Sequence, residues 1–310
     1  MPGRAGVTPP LIAIVGATAT GKTPLAVALA RRLGRAELVN ADSRQVIRGL
    51  RVGTCAPTPE ELGEVPCHLL DCCEPGERFT VADWASRAAP LLDQLAARAV
   101  TAVLVGGTGL YVSAAVDGLE LGAPPDPEVR RARDALSETS DGLQGLAAEL
   151  AARDPDGARE IDLRNRRRVV RALELVDAAG SVAAGRRRGP GRAALQVGLE
   201  ASPELHRRLI VARSERMLRS GALQREVAAV LAAGVSEAAL DRAGIGYREA
   251  LALRAGRLDL DEAVTALTLR TLRYAKAQRT WFRRDPRIRW LRCDEGDAAA
   301  LAGAVLGMVG

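Results

Sequence analysis

The chain has 310 residues, 47% hydrophobic and only 3% aromatic, which suffices for one large domain, or a domain with an insertion, whose core is built mainly from Leu, Val and Ala. A formal net charge of +6 and an isoelectric point near 9.5 suit an anionic partner, nucleic acid or polyphosphate, without requiring one. The start MPGRAGVTPP lacks the apolar run of a secretory signal and no stretch of about 20 apolar residues is present to span a bilayer, so a soluble, cytoplasmic protein with no membrane partner is expected.

Leu11 to Val15 is a short apolar run that breaks at Gly16, and Leu25, Leu29 and Leu33 then recur at helical spacing until Gly34, which reads as strand, loop and helix. A second strand falls near Glu37 to Asn40. Thr80 and Asp83 have the spacing of a capping box for a helix reaching about Arg98, and Thr101 to Val105 is a buried strand running into Gly106 and Gly107. This alternation predicts an α/β fold with a doubly wound parallel sheet, and the loop GATATGKT at Gly16 to Thr23 makes it P-loop NTPase-like. Composition then shifts: Gly118 to Pro127 is rich in Gly and Pro, Arg130 to Ala179 is helical and strongly charged, and the tract GRRRGPGR at Gly185 to Arg192 reads as a mobile loop. Residues 118–192 are therefore expected to form an inserted helical subdomain, and 8–117 with 193–310 the core. Ala194 to Leu199 is a further core strand, Glu204 to Ala233 one or two helices, Leu260 to Arg284 a long helix and Arg287 to Leu291 a last strand. The run AALAGAVLG near the end reads as alanine bias.

The segment Gly16, Ala17, Thr18, Ala19, Thr20, Gly21, Lys22, Thr23 matches the phosphate-loop pattern and sits between an apolar strand and a helix, the context that gives the pattern meaning. Its backbone N–H groups and the helix N-terminus cradle phosphate oxygens, Lys22 supplies charge and the Thr23 hydroxyl reaches Mg²⁺. Only Lys22 and Lys276 are lysines in a chain with 44 basic residues, so a compact charge at position 22 stands out against an arginine background. The acid that a nucleotide hydrolase carries at the end of a neighbouring strand is not evident, since Thr101 to Val105 runs into Gly106, Gly107 and Thr108. Asp42, in the stretch after the second strand, is the nearest candidate, as a helix cap, a magnesium ligand or a base. Cys55, Cys67, Cys72, Cys73 and Cys293 form no CxxC pair and read as reduced thiols. His68 and His206 read as structural.

Taken together, GATATGKT, NADSRQV at Asn40 to Val46, GTCAPTPEE at Gly53 to Glu61, LVGGTGLY at Leu104 to Tyr111, RRVVRALEL at Arg167 to Leu175, GIGYRE at Gly244 to Glu249 and RYAKAQRTWFRRDPR at Arg273 to Arg287 closely resemble the tRNA dimethylallyltransferase family of bacterial type. The blocks run in order from about residue 10 to 292. The resemblance implies transfer of a dimethylallyl group from dimethylallyl diphosphate to the 6-amino group of the adenosine 3′ to the anticodon, in tRNAs reading codons that begin with U. It implies Asp42 as general base, Thr108 as the hydroxyl on the bridging oxygen of the leaving pyrophosphate, Arg213 as its arginine clamp, Lys22 and the loop as its cradle, and Mg²⁺ as cofactor. It further implies tRNA contacts from Asp42, Ser43, Arg44, Gln45 and Thr108, from Arg130, from Arg167, Arg168, Val169, Val170 and Arg171, and from Ala243, Gly244, Ile245, Gly246, Tyr247 and Arg248. The expected partners are an anticodon stem-loop and dimethylallyl diphosphate, met by a monomer.

The sequence departs from the family pattern at Ile47, where Tyr is usual, Ala56, where Lys is usual, and Cys67, where His is usual. None of these removes an implied catalytic group. The rival readings are an adenylate isopentenyltransferase acting on free nucleotide, which would need neither the helical insertion nor the basic helix around Arg273, Lys276 and Arg283, a small-molecule kinase, which would need an acid at the third strand's end, and a non-catalytic RNA-binding protein.

Overall fold

The computed structural model describes residues 11–119, 126–186 and 189–309. The Gly- and Pro-rich stretch at 118–127, the GRRRGPGR tract and residues 8–10 of the expected core lie wholly or partly outside the described residues. Contacts divide the chain into one unit made of Met1–Val116 and Arg192–Gly310 and a second made of Asp117–Gly191.

The first unit begins with β1 (Leu11–Gly16), α1 (Lys22–Leu33), β2 (Ala36–Asn40), α2 (Pro59–Leu62), β3 (Cys67–His68), α3 (Val81–Ala97), β4 (Thr101–Val105) and α4 (Gly109–Val116). The second unit holds α5 (Pro127–Leu136), α6 (Ser140–Arg153), α7 (Pro155–Glu160), α8 (Arg166–Ala179) and α9 (Val182–Gly185). The first unit then resumes with β5 (Ala194–Glu200), α10 (Pro203–Arg219), α11 (Ala222–Ala232), α12 (Glu237–Ala243), α13 (Tyr247–Arg254), α14 (Leu260–Phe282), β6 (Arg289–Arg292) and α15 (Ala298–Val309).

The six strands form one parallel sheet in the order β3-β2-β4-β1-β5-β6. Strands β1 and β4 are covered on both faces, which is why they read as unbroken apolar runs. Along β1 the side chains alternate: Leu11, Ala13 and Val15 face Trp84, Leu92 and Leu95 of α3, while Ile12 and Ile14 face Leu25 and Leu29 of α1. The expected capping box is present, with Thr80 Oγ1 accepting from Asp83 N at 3.3 Å and Asp83 accepting from Thr80 N at 2.7 Å. The alanine-rich C-terminal run is a helix, not bare composition: α15 lays Leu301, Ala302 and Val305 onto α1 and completes that face of the core. Helices α2, α4, α12 and α13 and the short β3 also had no clear signal in the sequence.

In the second unit Leu146, Leu150, Val169, Val170, Leu173 and Val176 make a separate small core. Arg133 pairs with Asp177 and, at 3.2 Å, with Glu149, while Arg153 reaches the same two acids at 2.8 and 2.9 Å, tying α5, α6 and α8 together. Glu174, almost fully buried, is held by Arg130 at 3.0 Å and Arg171 at 2.9 Å. Leu173 is wholly buried in this unit, so Leu173→Ala is expected to cost about 2–5 kcal/mol of its stability, read as an earlier denaturant midpoint.

Candidate functional site

In a parallel sheet the ligand site gathers where the carboxyl ends of adjacent strands release their loops. Here β2, β4 and β1 lie side by side, and their loops are Ala41 to Gln45, Gly106 to Thr108 and Ala17 to Gly21. Gly16 has φ 138° and an added Cβ would meet the Leu199 carbonyl oxygen at 2.4 Å, so only glycine fits beside β5. Ala19 at φ 66° and Gly21 at φ 83° alternate with residues of negative φ, a backbone alternation that can curl successive N–H groups toward an anion at the start of α1. Lys22 Nζ donates to Ala17 O at 2.7 Å and Thr20 Oγ1 to the same oxygen at 2.9 Å, bracing the loop.

Thr18 is clamped from three directions. Its N–H donates to Gln278 Oε1 at 2.8 Å, its carbonyl accepts from His206 Nε2 at 2.8 Å, and its Oγ1 accepts from Arg213 at 2.8 Å. Gln278 also donates from Nε2 to Gly107 O at 2.9 Å, joining the phosphate loop to the loop after β4. The carbonyl partner fixes the His206 tautomer with its proton on Nε2.

Asp42 is set in a turn. Its N–H donates to Asn40 Oδ1 at 3.1 Å, and its Oδ1 accepts from Arg44 N at 2.9 Å, so the carboxylate caps a turn and no helix begins there. Asn40 Nδ2 donates back to Asp42 O at 3.3 Å and to Leu69 O at 3.0 Å. Thr108 Oγ1 accepts from Ser43 N at 2.9 Å and lies 3.2 Å from Ser43 Oγ, locking the two loops together.

One cavity of about 380 Å³ collects the loop residues Thr18, Ala19, Gly21, Lys22 and Thr23 together with Asp42 and Arg213. Thr108 is not part of its wall. Apolar or neutral side chains from Leu38, Cys55, Ala56, Pro57, Cys67 and Val105 complete it. Burial pushes the Lys22 ammonium down to about 8, with Asp42 opposing and Arg213 adding to the shift, so these three charges act on one another across the cavity. Burial pushes the Cys67 thiol up to about 12, which leaves it neutral. The cavity's outer wall is pinned by Glu226 of α11, whose carboxylate accepts from the N–H groups of Arg51 at 2.7 Å, Val52 at 2.6 Å and Gly53 at 3.1 Å, and from Tyr247 Oη at 2.8 Å.

The residues expected to meet RNA divide by burial. Arg167 and Arg168 are exposed at the start of α8, whereas Val169 and Val170 point into the core of the helical unit, so their side chains pack there and are not available to a ligand. Tyr247 and Ala243 are likewise buried, Tyr247 in the cluster around Leu223 and Leu240, while Arg242 and Arg248 are exposed, Arg248 bidentate with Asp241 at 2.6 and 2.8 Å. Arg44 reaches Ala243 O at 3.2 Å. Sequence reasoning missed Asn40, Glu226 and Gln278. The signal for Gln278 was a neutral polar residue amid the cations of RYAKAQRTWFRRDPR.

Such a loop at the carboxyl ends of a parallel sheet, sharing a cavity with a neighbouring carboxylate, defines a P-loop-like α/β fold. The family model described as IPP transferase matches residues 45–285, and the one described as isopentenyl transferase matches residues 9–71. The chain is 42% identical over 304 residues to a tRNA dimethylallyltransferase of Streptomyces coelicolor, covering 97% of this chain and 96% of that one. It is 44% identical over 288 residues to one of Anaeromyxobacter dehalogenans, covering 91% and 94%. Its fold is similar to the solved tRNA isopentenylpyrophosphate transferase of Bacillus halodurans, with TM-score 0.70 and 35% identity over 97% of this chain and 96% of that chain. The chain belongs to the IPP transferase family.

Burial lowers the pKa of His206 below its ordinary value, so the unfolded chain binds a proton that the folded chain resists. Stability is therefore present above about pH 6.5 and is lost as pH falls below it toward the lowered folded value. His206→Gln, which keeps a donor for Thr18 O without the titration, is expected to flatten the fall of melting temperature between neutral and acid pH.

Proposed function

We propose that the protein transfers a dimethylallyl group from dimethylallyl diphosphate to the 6-amino group of the adenosine immediately 3′ of the anticodon, in tRNAs reading UNN codons. The observation that carries this reading is the single cavity that sets a phosphate nest with Lys22 and Arg213 against Asp42, with no acid at the end of β4. Breaking the allylic C–O bond develops negative charge on the departing diphosphate. The nest, Lys22 and Arg213 hold fixed positive charge where that charge appears. Thr23, which lines the cavity, would offer its hydroxyl to a magnesium ion shared with the diphosphate, which when bound would add further positive charge to the leaving group.

The exocyclic amine of adenine is a weak nucleophile, so a carboxylate that accepts its proton as the C–N bond forms lowers the barrier. Asp42 is assigned that role, worth about 10²–10⁴ in rate. Its turn is stiffened by Asn40 on one side and by the Ser43–Thr108 contact on the other, so the carboxylate is preorganised. The neutral Cys55, Cys67 and Val105 wall surrounds the allylic carbons with groups that do not compete as nucleophiles, and the target base must leave its stack to enter. Arg167 and Arg168 follow Arg166, which pairs with Glu138 at 3.5 Å, in the first turn of α8, against the helix dipole, and among the described residues neither has an ion pair. That placement suits RNA phosphates.

Incubation with dimethylallyl diphosphate, Mg²⁺ and unmodified tRNA, followed by nucleoside mass analysis, should show the adenosine gain one C5H8 unit. Rapid ATP consumption with untouched tRNA would overturn the reading. Asp42→Ala is expected to lower the transfer rate at least ~10²-fold while tRNA affinity stays within a few-fold, measured by single-turnover kinetics and filter binding. The tRNA dissociation constant should rise steeply with salt, and a flat dependence would point to a free nucleotide as acceptor.

A further inference from the structure

Most described arginines near acids are spent on ion pairs, and the cavity's cations show how unusual an unspent one is. Arg51 lines the cavity but is tied to Asp71 and to Pro57 O. Lys22 holds Ala17 O, and Arg213 holds Thr18 Oγ1. Arg216 also lines the cavity, and among the described residues its guanidinium makes no hydrogen bond and no ion pair. The next arginine on the same helix, Arg219, is by contrast paired with Asp261 at 2.5 Å.

Position is as informative as partner. Arg216 follows Arg213 by three residues on α10, so both guanidinium stems leave the same helix face about one turn, roughly 5 Å, apart. Both line the same cavity as Cys55, and both hold its thiol lower than burial alone would. Met217, Ser220 and Ala222 continue that wall without an acid. An arginine side chain reaches far enough to span one helical turn, and its planar fork matches the oxygens of a phosphate.

We infer that Arg216 is a second diphosphate-binding residue, closing on the terminal phosphate of the donor while Arg213 and the nest hold the phosphate nearer Thr18, and that it retains pyrophosphate after transfer. The inference rests on the proposed reaction for its substrate, but the anion it grips is tested without that reaction. Inorganic pyrophosphate with Mg²⁺ is titrated by calorimetry into the full chain, into Arg216→Ala, Arg216→Lys and Arg219→Ala, in the absence of tRNA. Arg216→Ala should weaken pyrophosphate binding about 10- to 100-fold, Arg216→Lys should restore part of it, and Arg219→Ala should stay within twofold. In the transfer assay the donor KM and the inhibition constant of pyrophosphate should rise in parallel in Arg216→Ala, with the tRNA KM unchanged.

Equal pyrophosphate affinity in the wild type and Arg216→Ala, at equal melting temperature, overturns the inference. So does a rise confined to the tRNA KM, which would give Arg216 to the RNA. If the wild type binds pyrophosphate yet transfers no prenyl group, the proposed reaction falls while Arg216 is still decided by the calorimetry.

Discussion

The three-way hold on Thr18 is the constraint around which the site is arranged. A phosphate nest works only if its N–H groups already point inward when the ligand arrives, and Ala19 in the left-handed region shows a backbone kept where a non-glycine residue does not rest freely. The cost of that conformation is met by hydrogen bonds from two helices: α10 contributes His206 and Arg213, and α14 contributes Gln278. Because Gln278 also grips Gly107 O, a helix far along the chain sets the spacing between two loops that leave different strands. The same logic recurs at Glu226, where one carboxylate gathers three consecutive backbone N–H groups of the cavity's outer wall. Preorganisation here is achieved by long-range polar contacts into loops that have no secondary structure of their own.

What was readable in the sequence follows the range of the interaction responsible. The phosphate loop is a local object, a strand, a glycine-bounded turn and a helix start, and the order of its residues carries its geometry. The strands from Leu11, Thr101 and Ala194 were equally plain, because burial on both faces writes itself as a continuous apolar run. The roles of Gln278 and Glu226 were not readable, since their partners lie 260 and 175 residues away and no periodicity links them. Helix α15 hid because alanine fits both a helix and a biased composition, and only its packing against α1 separates the two. Motif blocks mix two environments: Val169, Val170 and Tyr247 belong to segments with exposed arginines, but each residue on a helix turns about 100° from the last, and these three fall on the core side.

Charge in this protein is mostly neutralised in place. The helical unit uses Arg133, Arg153, Glu149 and Asp177 as a closed set, and Glu174 is buried between two arginines, arrangements that order side chains more than they add stability. Against that background Lys22 and Arg213 stand apart from Arg51, which is tied to Asp71, because they are held by neutral oxygens, and in the proposed reaction their charge meets the diphosphate. Lysine at position 22 fits the same view. A buried ammonium whose pKa has dropped to about 8 is a charge kept at some expense, which the diphosphate of the proposed reaction would offset.

The absence of an acid after β4 also has a steric cause. A Cβ at Gly106 would lie 2.2 Å from the backbone carbon and oxygen of Ala41, so no side chain of any kind fits there while the loop after β2 stays where it is. That closeness lets Ala41 N donate to Val105 O at 2.8 Å and Thr108 N donate to Ala41 O at 3.1 Å, which stitches the two loops together directly below Asp42. The position where a nucleotide hydrolase carries its metal-binding carboxylate is thus filled by the neighbouring loop's main chain, and the carboxylate of the site is supplied by that loop instead. In the proposed reaction Asp42 of that loop presents the base to a nucleophile that attacks carbon, and the close packing of the two backbones leaves no room for a second carboxylate at Gly106.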